Sequence, residues 1–267
     1  MTKQAVAALT TFHTQIEELA PSLAPADWIR PSACPGWRVR DVFAHLGQGA
    51  SSILNPMELP EERLPLPENR ERQHDIHVDI RRDWSVEEVV EEFTTYGRQR
   101  LDMLPGFQEE PLASNDLTIE GLGTYPMHAA ANGLAFDHYS HLHNDLTGPA
   151  GPLDIALPEL THEQMYPVVQ FMMWGLPQMQ GPELDAMLLV PTTLALTGPG
   201  ESTWTITRPQ PDGGLVVEES DGGEVTVTST ATDFSRWGTG RAPFWDLVEI
   251  EGDPTKAIGF LATLDIV

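Results

Sequence analysis

The chain is 267 residues long and carries 40 Asp and Glu against 15 Lys and Arg, a formal charge of −25. So acidic a protein repels phosphate backbones and anionic leaflets, which argues against nucleic acid or a membrane surface as partner. A hydrophobic content of 40% suffices for a packed core, and the single cysteine, Cys34, excludes a disulfide framework and any multi-cysteine zinc or iron–sulfur site.

Val6, Leu9, Phe12, Ile16 and Leu19 recur at spacings of three and four, which predicts a first amphipathic helix closed by Pro21 and Pro25. This segment holds Glu17 and Glu18 and no apolar run with a cleavage site, so it reads as helix and not as a leader. No stretch approaches the ~20 apolar residues that span a bilayer, and the expected location is cytoplasmic. After the turn PSACPGW, a second helix carries Val39, Val42, Phe43, Leu46 and Ile53 on one side. Residues 56–72 hold four prolines and many charges and read as a long connection. Ser85, with Glu88 three residues on, forms a capping box for a third helix striped by Val86, Val89, Val90, Phe93, Leu101 and Leu104. Its acidic run from Glu87 to Glu92 reads as solvated surface. Residues 105–122 read as irregular, and a fourth helix is expected from about Tyr125 to Leu146, where TGPAGP stops it. Four amphipathic helices with a long crossover between the second and third suggest a four-helix bundle.

A Met-rich apolar run over 161–180 predicts another helix, read as buried core. From Leu188 the pattern alternates through TLALTG, STWTITR, GLVVEE and EVTVTSTA, which are strand signals. The DGG repeats at 212–214 and 221–223 read as hairpin turns and follow no phosphate-loop pattern. Asp253 as N-cap and Pro254 at the first position open a final helix with Ile258, Leu261 and Leu264 on one side. The expected class is α+β: a helical bundle over 1–150, a connecting helical segment over 151–184 and a small α+β domain over 185–267.

The chemistry concentrates on two helices. His45 shares a stripe with Val42, Leu46 and Gly49, so it points into the bundle. Asp137 and His141 are four apart on the fourth helix and therefore share a face. A carboxylate and an imidazole at that spacing, facing a third ring from another helix, can hold a divalent metal and leave one position open for water or substrate. Asp145, one turn beyond His141, can hold that ring's second nitrogen and fix its tautomer. His138 and His143 compete with His141 as ligands, and a hydrogen-bonded core histidine is the plainer reading of His45. Cys34 precedes a proline in a turn and reads as structural, and Trp37 as a packing anchor.

SACPGWRVRDVFAHLGQGA resembles the N-terminal signature of the mycothiol-dependent maleylpyruvate isomerase-like proteins, which are DinB-like four-helix bundles. Cys34, Pro35, Gly36, Trp37, Val39, Asp41, His45 and Leu46 fit it. FDHYSHLHNDL is similar to the family's second signature, and TDFSRWGTGRAPFWDLVEIEGDPTKAIGFLATLDIV resembles the sterol-carrier-protein-like domain fused behind this bundle. The resemblance implies zinc held by His45, Asp137 and His141, with Asp137 standing where glutamate is usual and one methylene shorter. It implies mycothiol, a low-molecular-weight thiol, as cosubstrate for isomerisation or S-transfer on a small electrophile. It also implies an arginine from the C-terminal domain at the active site, Arg241 first and Arg236 second, suited to a substrate carboxylate. Metal-activated water for hydrolysis or lyase chemistry is the alternative enzyme class, and hydrophobic-ligand binding by the tail the non-enzymatic one. A monomer or homodimer is expected.

Overall fold

α1 (Lys3–Leu19) buries Leu9, Phe12, Ile16 and Leu19, the stripe its periodicity predicts. The computed structural model describes residues 2–67, 70–179, 181–210 and 213–266. They divide into two compact units that interleave along the chain: 9–115 with 137–158, and 2–8 with 116–136 and 159–266.

The first unit is helical. α2 (Val39–Leu54) buries Val39, Val42, Phe43 and Leu46, but Ile53 is 68% exposed, so the last turn of the helix runs past the core. The expected long connection gives way at Arg70 to a further helix, α3 (Arg70–Asp79), with Glu68 and Asn69 outside the described residues. The α3 sequence is charged and has no apolar stripe, which is why periodicity did not find it. α4 (Val86–Met103) opens on the Ser85–Glu88 capping box. α2 and α4 meet closely because Gly47 has no side chain: a Cβ there would lie 2.9 Å from the Phe93 nitrogen. Gly97 likewise makes room for the His13 ring, which stands 2.1 Å from where its Cβ would be.

Glu92 departs from the expected solvated run. It is buried and takes two hydrogen bonds from buried Arg81 (2.6 and 2.7 Å), and a third from Ser51 Oγ at 2.7 Å. A buried carboxylate is tolerable when its charge and lone pairs are met in this way. α5 (Ala130–Tyr139) begins in the second unit and ends in the first, continuing as a π-helical stretch over Ser140–Leu146.

The second unit holds the sheets. Where irregular chain was expected, β1 (Asp116–Ile119) and β2 (Gly123–Pro126) pair as an antiparallel hairpin, so the helix that follows starts at Ala130 and not near Tyr125. α6 (His162–Met179) carries the Met-rich run, with Met165, Val168, Phe171, Met172, Met173 and Leu176 buried, and is followed by α7 (Pro182–Met187). All four strand signals are strands: β3 (Thr192–Thr197), β4 (Ser202–Thr207), β5 (Val216–Glu218) and β6 (Val225–Thr230). With β7 (Glu249–Glu251) they form one sheet in the order β5-β4-β3-β6-β7, where only β3 and β6 run parallel.

That order corrects one turn. β5 and β6 are not neighbours, so residues 221–223 are a crossover and not a hairpin; the N–H groups of Gly222 and Gly223 donate to Thr205 and Thr193 as the chain passes. In the other repeat, Asp212 lies outside the described residues. α8 (Ala231–Trp237) follows β6. Asp253 caps the turn before α9 (Ile258–Thr263). The class is α+β, as expected. Among the described residues no helix is long and apolar enough to cross a membrane.

Candidate metal centre

His45, Asp137 and His141 come together inside the first unit, each offering one donor atom within 4.8 Å of the others. His45 arrives from the inward face of α2. Asp137 and His141 arrive from one face of α5 and its π-helical continuation. Asp137 Oδ1 lies 3.2 Å from His45 Nε2 and 3.5 Å from His141 Nε2. Asp145 is fully buried, and its Oδ2 lies 2.8 Å from His141 Nδ1, where it accepts that nitrogen's proton. The Asp145 carbonyl also accepts the Ala33 N–H at 3.0 Å, which ties the π-helical stretch to the PSACPGW turn.

Packing orients the rings. Trp37 stacks on His141 at 5.9 Å and stands 5.0 Å from His45, while its indole N–H donates to Asp75 on α3 at 2.8 Å. His74, also on α3, meets the His45 ring edge to face at 4.7 Å. Trp37 thus belongs to the walls of the site, and α3, which sequence reading missed, closes one side of it. Cys34 packs half-buried against the core, in keeping with a structural part.

The competing histidines have other partners, although His138 Nδ1 stands 3.8 Å from Asp137 Oδ2. The His138 ring meets His13 at 3.4 Å, and the His143 ring stacks on Tyr139 and sits edge-on to Phe12. Burial alone would push the Asp137 carboxyl up, but the His45 and His141 rings hold it well below the usual carboxylate range. Burial pushes His13 down to about 4 and His138 well below its usual value.

Sequence reasoning missed Arg100. It lies seven residues after Phe93 and four before Leu104, on the apolar stripe of α4, and is 7% exposed. A charged residue at a stripe position was the available signal. Burial pushes its guanidinium down to about 10, and the Asp137 carboxylate pulls it back up. Arg241 and Arg236 belong to the second unit. Arg241 is half-buried just after α8, its N–H donating to the Arg236 carbonyl at 2.8 Å, and the Arg236 guanidinium pairs with Asp233 at 3.2 Å.

A family profile described as the mycothiol maleylpyruvate isomerase N-terminal domain matches residues 9–142, half of the chain. Among solved structures the chain is similar to the crystal structure of mycothiol-dependent maleylpyruvate isomerase and to that of a histidine-to-alanine mutant of it. Each comparison gives 14% identity, covers 94% of this chain and 93% of that one, and has a TM-score of 0.58. At that identity the likeness speaks for the fold, helices followed by a sheet-containing region. No curated protein matches. The PSACPGW turn, His45, Asp137 and His141 all fall inside the profile's span, and the chain belongs to the mycothiol maleylpyruvate isomerase N-terminal domain family.

Proposed function

We propose that the chain is a metal-dependent enzyme in which His45, Asp137 and His141 hold a divalent ion, zinc by the chemistry of the donor set. A low-molecular-weight thiol, mycothiol, serves as cosubstrate for isomerisation or S-transfer on a small electrophile. The observation that carries this reading is the convergence of the three donors. Asp137 Oδ1 stands 3.2 and 3.5 Å from the two ring nitrogens, either side of the ~3.3 Å edge of a tetrahedron whose donors stand ~2.0–2.1 Å from zinc, and all three donors lie within 4.8 Å of one another. Three protein donors leave the fourth position open, as in catalytic zinc sites. The thiol enters the proposal from the family and from the name of the structural relative.

When bound, zinc would supply the field that keeps a thiol in its nucleophilic thiolate form at neutral pH. The chain's own residues prepare for it. Asp145 holds the proton on His141 Nδ1, so that Nε2 presents a lone pair toward Asp137. Asp137 stays ionised beside two rings and supplies the negative charge that offsets a divalent cation. Trp37 covers both imidazoles and limits water on that side. The apolar cavity among Leu176, Leu194, Ile206, Trp237 and Phe260 has a volume of about 10 Å³, room for at most a single water, so it does not favour lipid binding.

Metal analysis of the purified protein tests the proposal. About one zinc per chain is expected, lost in His45→Ala and in His141→Ala, together with thiol-adduct formation when mycothiol and a panel of electrophiles are supplied. A metal-free wild type whose behaviour the two variants share would sink it.

A further inference from the structure

Arg100 is a buried cation whose hydrogen-bonding capacity the fold leaves unused. Its Nε is buried with no hydrogen-bond partner, and among the described residues no carboxylate forms an ion pair with it. Arg81, the other inward arginine beside α4, shows what a satisfied guanidinium looks like here, with Glu92 held by two short bonds. An unpaired charge in such a place is destabilising, so its presence calls for a counter-charge.

The guanidinium lies against α2, the helix that carries His45. Its Nη1 lies 3.5 Å from where a Cβ on Gly49 would stand, and Gly49 is one helical turn beyond His45 on the same face of α2. Asp137 is the acid whose field acts on it, and its own charge is felt by His13 and His138. Outside α2's own backbone and the neighbouring residues, no other atom lies within 4 Å of the Cβ position at Gly49, and Gly49 is only half-buried.

We infer that Arg100 is the anion-binding residue of this site: the carboxylate of a small organic acid enters beside Gly49 and takes paired hydrogen bonds from the guanidinium, next to the metal-ligand cluster. This rests on the proposed function only for what lies beside the carboxylate; the unpaired cation exists without it. A chain of net charge −25 repels anions at long range, so recognition of an anionic substrate falls to a desolvated, geometrically matched cation such as this one.

Malonate is the probe, titrated calorimetrically into zinc-free and zinc-loaded protein. Arg100→Met is expected to weaken binding at least tenfold in both forms, and Arg100→Lys to weaken it less, since a point charge keeps the attraction and loses the fork. Gly49→Asp supplies a carboxylate from the chain itself, so it is expected to abolish malonate binding and raise the melting temperature. Wild type that binds no malonate in either form overturns the inference, as does a folded Arg100→Met that binds it like wild type. If Arg100→Met does not fold, unchanged malonate binding in Gly49→Asp overturns it equally. Arg100-dependent binding in a protein that never takes up zinc supports the inference while removing the metal reading.

Discussion

The Asp145 carboxylate can only accept, which forces the proton of His141 onto Nδ1. In Asp145→Asn the amide can donate there instead, the other tautomer is stabilised, and Nε2 carries the proton it should lack. Zinc affinity is expected to fall about 10- to 100-fold, read by competition with a chromophoric chelator, while the fold is kept. His13 gives a second expectation, in stability and not in binding. Burial, partly opposed by Glu17, lowers it from 6.5 to about 4, so the unfolded chain takes up the proton first as pH falls. Its contribution to stability is whole above about pH 6.5 and is lost as pH drops toward 4, at up to ~1.4 kcal/mol per pH unit. His13→Gln should flatten the urea-unfolding free energy over that interval; an unchanged slope would show that the ring titrates normally. Helix arithmetic makes His45 inward-facing and puts Asp137 and His141 on one shared face; the family resemblance is what singles out His141 from His138 and His143. The pairing of buried His138 with His13, and of His143 with Tyr139 and Phe12, was not legible, because it depends on neighbouring rings and a π-helical register that local spacing does not encode. Arg100 escaped because a polar residue is counted as outward until packing shows otherwise.

At the scale of elements, the first unit is held by a polar strut as well as by apolar stripes. Arg81, just past α3, binds Glu92 on α4, which also takes the Ser51 hydroxyl from α2, so three helices meet at one carboxylate. Removing one partner strands the other in the interior. Glu92→Gln is expected to destabilise by about 3–5 kcal/mol in chemical denaturation, and the double variant Arg81→Met with Glu92→Leu to recover most of that loss. If the single and double variants are equally destabilised, the pair is not what joins these helices. The strut also bears on what a sequence reveals. α1, α2 and α4 announced themselves by apolar periodicity, and β3, β4 and β6 by alternation. α3 did not, since its contribution is Val78 in the core, the end leading into Arg81, and the wall beside His45. The β1–β2 hairpin and β7 were equally silent, with strands of four and three residues, too short for a period of two to register.

For the whole molecule, texture and compactness divide the chain differently. The end of the fourth helix at TGPAGP suggests a first segment ending at residue 150, whereas compactness groups 2–8 and 116–136 with 159–266. Pattern reports the periodicity of each stretch; it cannot report which distant stretch covers it, and the sheet order with its parallel β3–β6 pair was hidden for the same reason. The difference has a measurable consequence. In the second unit Tyr125 and Phe136 pack on Phe171 at 5.4 and 5.6 Å, and Gly133 lies under the same ring. Asn132 Nδ2 donates to the Pro167 carbonyl and to Gln170, and the Thr124 N–H to Gln178. A fragment of residues 1–150 keeps the hairpin and the first turns of α5 but loses every one of these α6 partners. It exposes two aromatic rings that are 3% and 6% accessible in the full chain, and removes both acceptors of the Asn132 amide. Such a fragment is expected to bind a hydrophobic dye, to self-associate in gel filtration and to melt below the intact protein. Because α5 also carries Asp137 and leads directly into the π-helical stretch with His141, loosening its first turns should weaken zinc binding in the fragment too. A fragment that stays monomeric, ignores the dye and binds zinc like the full chain would mean that residues 116–136 need nothing from α6.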